Sequence, residues 1–310
     1  MLKVCFVLGV MPRCGTNFLQ NMLRLHTSCY APGPVWEDFV ISQLDILFRY
    51  SQRVSNNWDP YWFRNAETNH KDLLMQCLGQ GIQDFLKLQV KNSNPKNEIE
   101  YIISKTPSLK GIDKYSLFFK NCKFIMIMRD GRSVVASGEK SFSWDFELAA
   151  IQWKLNAKKI KKFKKMNDIN FDTFLLIKFE NLIVEPENQF KKMIEYLGLS
   201  LNDFDFSKLK SLPVSGSSDL KSSSKAMHWK PVSKENKFDP LNRFSNWSLN
   251  RKKIFHYIAK NEMEYFGYHS DIALSYWDRV WISLYLLIWP IKFVLKKLKE
   301  FFHSIFNKAI

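Results

Sequence analysis

Two short clusters in this sequence carry residue types that bind anions. The first, Val10-Met11-Pro12-Arg13-Cys14-Gly15-Thr16-Asn17, lies between an apolar run ending at Gly9 and a helical pattern opening at Phe18. Backbone N–H groups at a helix start point outward and the helix dipole favours an anion there, so such a passage is a phosphate cradle. The Arg13 fork would hold phosphate oxygens in a fixed geometry. This is not the G-x-x-x-x-G-K-[ST] loop of kinases and GTPases, because Gly9 and Gly15 stand six apart and Thr16, not Lys, follows the second glycine. The second cluster, Arg129-Asp-Gly-Arg-Ser-Val-Val-Ala-Ser137, sets an Arg at the end of an apolar run and a Ser eight residues later, two turns into the next helix. Both can converge on one anion, and two separated phosphate sites on one sheet edge suggest a nucleotide with phosphates at both ends of its ribose. The plainer readings are a glycine turn with an exposed Arg13, and an Arg129 that merely pairs with Asp130.

These residues need strands and helices to hold them. Residues 4–9, 101–104, 123–128 and 173–179 are short, nearly continuous apolar runs, as strands buried on both faces of a parallel sheet should be. Helical periodicity spans 17–25, 132–140, 146–166 and 186–197. The alternation predicts an α/β three-layer sandwich with a central, mainly parallel sheet. A helix at 249–265 closes the globular part, which is read as residues 1–270. Residues 200–250 are rich in Ser, Lys, Asn and Pro; they form either a disordered linker or a long loop ordered by a ligand.

The chain of 310 residues is 46% hydrophobic and 25% charged, which excludes disordered, fibrous and collagen-like classes. Its net charge of +16 points to polyanions: nucleic acid, an anionic membrane, or phosphate- and sulfate-bearing ligands. Nucleic acid is disfavoured, since no recognised motif accompanies the charge and the seven-Lys run at 153–165 shows no regular aromatic interleaving. That run is a solvated face or an attractor for an acidic acceptor or lipid headgroups. Five cysteines without C-x-x-C spacing argue against a metal site and for a reducing, cytoplasmic setting. The opening MLKVCFVLGV is too short, and too soon broken by Pro12-Arg13, for a secretory signal.

The segment 277–310 differs in texture. Residues 280–291 contain no charge, yet about 18 Å of helix falls short of the roughly 30 Å hydrocarbon core, and Pro290 should kink it. Beyond it Val294, Leu298, Phe301, Phe302 and Ile305 share a face, with Lys296, Lys297 and Lys299 beside them. The pattern is that of a basic amphipathic tail peripheral to an anionic membrane surface, with Trp anchors. Packing on the protein's own core or on a second subunit is the other reading.

GVMPRCGTNFL and FIMIMRDGRSVVAS resemble the two cofactor-binding signatures of sulfotransferases that use 3′-phosphoadenosine 5′-phosphosulfate (PAPS), closest to the tyrosylprotein and bacterial carbohydrate branches. KFENLIVEPENQFKKMIEYLGL (178–199) resembles a third family segment. The resemblance covers about residues 4–250 and implies a P-loop-like fold, no metal and no covalent intermediate. It implies that Arg13, Cys14, Gly15, Thr16 and Asn17 hold the 5′ end and Arg129 and Ser137 the 3′-phosphate. It also places Glu37 where the tyrosylprotein branch keeps its base, Lys105 near the bridging oxygen, and Lys225, beside the Ser-rich 215–224, in a loop closing over the cofactor. Phe179 stands where many relatives have Tyr, and Pro107 excludes the His base of the cytosolic branch.

Sulfuryl transfer suits these residues on chemical grounds. A carboxylate takes the acceptor's proton, and fixed cations meet the charge on the leaving oxygen. Asp38 rivals Glu37 as the base; His26 reads as structural, and His228 is undecided. The resulting expectation is a PAPS-dependent sulfotransferase acting on a hydroxyl of a carbohydrate or lipid-linked glycan. Its rival is a non-catalytic nucleotide- or polyanion-binding protein at a membrane surface. An ATP-dependent kinase is a distant third.

Overall fold

Unbroken apolar runs become strands with both faces covered. The computed structural model describes residues 2–33, 36–63, 69–93, 98–167, 174–202, 204–212 and 239–306. In chain order the elements are β1 (Lys3–Gly9), α1 (Thr16–Leu23), β2 (Cys29–Tyr30), α2 (Leu44–Ser55), α3 (His70–Ser93), β3 (Tyr101–Thr106), α4 (Tyr115–Phe118), β4 (Lys123–Met128), α5 (Gly131–Phe142) and α6 (Phe146–Asn167). They continue with β5 (Phe174–Lys178), α7 (Phe179–Val184), α8 (Pro186–Leu197), α9 (Ser207–Ser211), α10 (Leu249–Tyr265) and α11 (Tyr276–Phe306). The strands form one sheet in the order β2-β3-β1-β4-β5, every pair parallel. All residues of β3, and all but the first of β1 and β4, are buried or nearly so, as helix-covered parallel strands must be. The α/β fold expected from the alternation of elements is the one observed.

The chain forms two compact units, Met1–Phe244 and Ser245–Ile310. The first holds the sheet. Phe6 on β1 packs against Phe119 and Phe124, with ring centroids 4.8 and 5.1 Å apart. The Tyr101 hydroxyl donates to the Leu197 carbonyl at 3.0 Å, fixing α8 to the sheet. The second unit pairs α10 with α11. Lys253 Nζ meets Asp278 Oδ1 at 2.7 Å, and the Tyr257 hydroxyl lies 2.6 Å from Ser283 Oγ. Ser275 and Asp278 cap the start of α11 reciprocally, and Lys253 leads in holding the Asp278 carboxyl down at about 2.

Several boundaries differ from the pattern-based reading. β3 runs on through Lys105 and Thr106, polar residues that are nonetheless buried. Phe179 opens α7 instead of ending a strand. The two-residue β2 is too short to leave a periodic signal. Between β2 and β3 the chain contains α2 and α3. The helix α11 continues through Pro290.

Two glycines of α3 make opposite predictions. A Cβ on Gly79 would lie 2.0 Å from the Phe118 carbonyl oxygen, whereas one on Gly81 meets nothing within 4 Å. Gly79→Ala should therefore cost about 1–3 kcal/mol by overpacking. Gly81→Ala should add about 0.5–1 kcal/mol through helix propensity. Denaturant midpoints of the two variants against wild type check the sign of each.

Candidate active site

Sheet order sets three strand ends side by side. Val7 of β1 lies opposite Lys105 of β3, and Gly9 of β1 opposite Ile127 of β4. The loop leaving β1 thus runs between the Lys105 segment and Arg129, where the chain switches from one side of β1 to the other. Crevices at such switch points are where open α/β sheets take ligands.

The loop closes tightly. Arg13 has φ of 73° and Gly15, the N-cap of α1, φ of 101°. A non-glycine residue in that region carries strain of order 1–3 kcal/mol, so Arg13 must be held from outside. Arg129 Nη1 donates to the Arg13 carbonyl at 2.6 Å, and Arg13 Nε donates to Ser137 Oγ at 3.0 Å. A Cβ at Gly15 would lie 2.3 Å from the Phe179 ring. Cys14 is buried beneath the loop, and burial pushes its thiol up to about 11. Thr16 and Asn17 are buried at the helix start.

Arg129 is only 6% exposed. Its guanidinium also donates to the Pro240 carbonyl and lies 4.4 Å from the Phe179 ring centre. Its Nε is buried with no hydrogen-bond partner among the described residues. Burial lowers both Arg13 and Arg129 to about 10, and for Arg13 the charges of Arg129 and Arg243 add to the effect. Both stay cationic at neutral pH. The nearby Asp130 does not serve as Arg129's ion-pair partner: its carboxylate caps α5 at the Arg132 N–H and pairs with Arg132 at 2.6 Å. The Asp130 N–H donates to Glu180 at 2.9 Å. The two sequence clusters therefore meet in a single, cation-rich site.

A second charge lies at the end of β3. The Lys105 side chain is fully buried, with its ammonium on Asn17 Oδ1 and 3.5 Å from Glu37 Oε1. Burial pushes Lys105 down to about 8 against the opposing pull of Glu37. The neighbouring Asp38 has other work. Its Oδ2 accepts from Ser104 Oγ at 2.6 Å, and its Oδ1 accepts from the Val40 N–H at 3.1 Å and Thr106 Oγ1 at 3.3 Å. Those bonds lace the 36–40 loop to β3, while burial raises the Asp38 carboxyl. His26 is fixed in the same way. Ser28 N–H donates to its Nδ1 at 3.1 Å, and its Nε2 lies 2.8 Å from the Ser200 carbonyl.

Of the residues read from sequence, Arg13, Cys14, Gly15, Thr16, Asn17, Arg129 and Ser137 come together, and Asn17 links them to Lys105 and Glu37. Lys225, His228 and the stretch 215–224 lie outside the described residues. Supporting residues escaped the sequence reading. Trp153 Nε1 donates to the Arg129 carbonyl at 3.1 Å, and Asn156 Nδ2 to the Val10 carbonyl at 2.7 Å. Both sit in the lysine-rich helix α6, three residues apart on one buried face, and that spacing was the available signal. Beside the loop opens a cleft of about 440 Å³, lined by Met11, Pro12, Pro107, Trp144, Leu148 and Gln152 among others. Among the described residues no three His, Cys, Asp or Glu side chains gather into a metal site.

Comparison with known proteins gives the same direction. A family model described as Sulfotransferase family matches residues 5–203. The chain is 22% identical over 203 residues to a protein-tyrosine sulfotransferase of Drosophila melanogaster, covering 63% of this chain and 38% of that one. It is 24% identical over 207 residues to protein-tyrosine sulfotransferase 1 of Danio rerio, covering 63% and 53%. The chain thus spans about half the length, or less, of these relatives. Among solved structures, the sulfotransferase domain from the curacin biosynthetic pathway aligns with a TM-score of 0.43 at 14% identity, covering 92% of this chain and 98% of that domain.

Gly15→Ala tests the loop geometry. It meets both a left-handed φ and the Phe179 ring, so it should cost about 2–4 kcal/mol from strain and overpacking together. Adding Phe179→Leu should recover the steric part alone, and a thermal-melt double-mutant cycle measures the coupling.

Proposed function

The chain belongs to the sulfotransferase family, and we propose that it transfers the sulfuryl group of PAPS to a hydroxyl acceptor. One observation carries the reading: Arg13 and Arg129, from clusters over a hundred residues apart, meet around a single site where each buried guanidinium feels the burial of its charge. A buried guanidinium whose Nε has no partner among the described residues is a donor suited to an anion. The residues present fit the nucleotide. Arg129 and Ser137 are suited to its 3′-phosphate, and Arg13 with the amides opening α1 to its 5′ end.

Each remaining residue takes a step in the chemistry. Glu37 accepts the acceptor's proton as the acceptor oxygen bonds to sulfur. Lys105 supplies a proton-bearing cation to the phosphate oxygen from which sulfur departs, a role that needs its charged form. The pair they make with each other keeps each oriented before substrate arrives. Asp38 is occupied with the β3 edge, which favours Glu37 as the base. The cleft beside Pro12 and Pro107 is the space offered to the acceptor. A carbohydrate or glycan hydroxyl was the expectation from sequence. The relatives above are named for protein tyrosine, so a tyrosine hydroxyl is the acceptor we favour and a sugar hydroxyl the second to assay.

A thermal-shift titration with 3′,5′-adenosine bisphosphate beside ATP, ADP and GTP tests the nucleotide. At 100 times its dissociation constant the bisphosphate should add about 2.7 kcal/mol of stability. Arg129→Ala should remove that shift. Glu37→Gln should keep it and lose about 10²–10⁴ in turnover. A shift only with ATP, or full turnover in Glu37→Gln, would overturn the respective assignment. Tight bisphosphate binding with no transfer to tyrosine peptides or sugars would instead favour a non-catalytic binding protein.

The pH profile follows from Lys105. Its ammonium loses its proton near 8 rather than at the usual 10.5, so the active, charged form falls away as pH rises through about 8. The alkaline limb of kcat/KM, which reports the free enzyme, should bend there. Lys105→Arg, which stays charged throughout, should flatten that limb whatever activity it retains.

A further inference from the structure

The helix α11 carries a surface that the transfer reaction does not use. Trp277, Trp281, Leu284, Leu287, Ile288 and Ile291 are all exposed, Trp277 by 75% and Leu287 by 73%. At 3.6 residues per turn they share an arc of about 120°. The opposite side of the helix faces α10: Ile282 is fully buried there, and Asp278 and Ser283 bond to Lys253 and Tyr257. α11 is thus amphipathic, with one face satisfied inside its own unit and one face apolar and exposed among the described residues.

We propose that this face docks on a negatively charged lipid bilayer surface, with α11 lying in the plane of the headgroups. Three observations select that occupant. Charge is complementary: after Arg279 the helix sequence holds Lys292, Lys296, Lys297 and Lys299 against the single acid Glu300, on a chain of net charge +16. The aromatics are of the interfacial kind, since Trp277 and Trp281 sit on the exposed face and Trp281 stacks with Tyr285 at 5.8 Å. The apolar arc is also broader than a two-in-seven coiled-coil seam. Among the described residues no helix is long and apolar enough to cross a membrane, so the helix rests on the bilayer.

Flotation of the full chain tests the proposal, with vesicles of phosphatidylcholine alone and of phosphatidylcholine mixed with phosphatidylglycerol. The chain should float with the mixed vesicles and much less with the neutral ones, and rising salt should weaken the binding. The triple variant Trp281→Glu, Leu284→Glu, Ile288→Glu should lower the bound fraction about tenfold or more. Its substitutions are all at exposed positions, and an unchanged circular dichroism spectrum confirms that it folds. In the unmodified chain, tryptophan emission should shift to the blue on adding mixed vesicles. No flotation, or a variant that floats like wild type, would overturn the proposal. So would a dimer in light scattering that the variant splits in the absence of vesicle binding, which would assign the face to a second copy. None of these readouts involves nucleotide binding or turnover, so their failure leaves the transfer reading untouched.

Discussion

A guanidinium buried at the end of a central strand needs partners that fold around it. Taking a cation out of water costs several kcal/mol unless its donors are met. Arg129 meets that demand in part, with two backbone carbonyls on its terminal nitrogens and an aromatic face, while its Nε has no partner among the described residues and the adjacent carboxylate of Asp130 is turned to Arg132. Carbonyls satisfy donors without cancelling charge. The arrangement therefore fixes the loop after β1 and holds Arg13 at an unfavourable φ, while the nearby Glu180 carboxylate offsets part of the Arg129 charge. Much of the site's shape follows from this one choice of partners.

The end of β3 solves a related problem with opposite chemistry. Lys105 is as deeply buried, but it has Asn17 and a carboxylate within reach. Glu37 offsets its charge and tightens its proton, but burial outweighs that and loosens the proton overall. One sheet edge thus presents a permanent cation and a titratable one side by side. Parallel pairing of β3, β1 and β4 makes this possible, because it brings three strand ends to the same edge.

Sequence made the scaffold legible where burial was uniform. β4, α8 and α10 appear with the boundaries their apolar patterns mark, since both faces of the strand and one face of each helix meet the core. Legibility failed where a polar residue is buried for the site's sake. Lys105 and Thr106 fall beyond the apolar run at 101–104, yet they are buried and form the last two residues of β3. The anion-binding residues were visible because Arg, Gly, Ser and Thr at a strand–helix junction have a recognisable spacing. Trp153, Asn156 and Glu180 were not, because they act on backbone carbonyls and amides; the spacing of Trp153 and Asn156 marks a buried face but not its backbone partners.

The hydrogen bond between Arg13 and Ser137 also has an energetic meaning. It joins the two clusters directly, so each end of the site is partly satisfied by the other. A molecule engaging one end alone must separate that pair and leave the abandoned partner short of a bond. A molecule with an anionic group at both ends replaces what it breaks. On the proposed reading the site is thereby biased against half-matching nucleotides, and the two halves of a fitting ligand should bind with positive cooperativity.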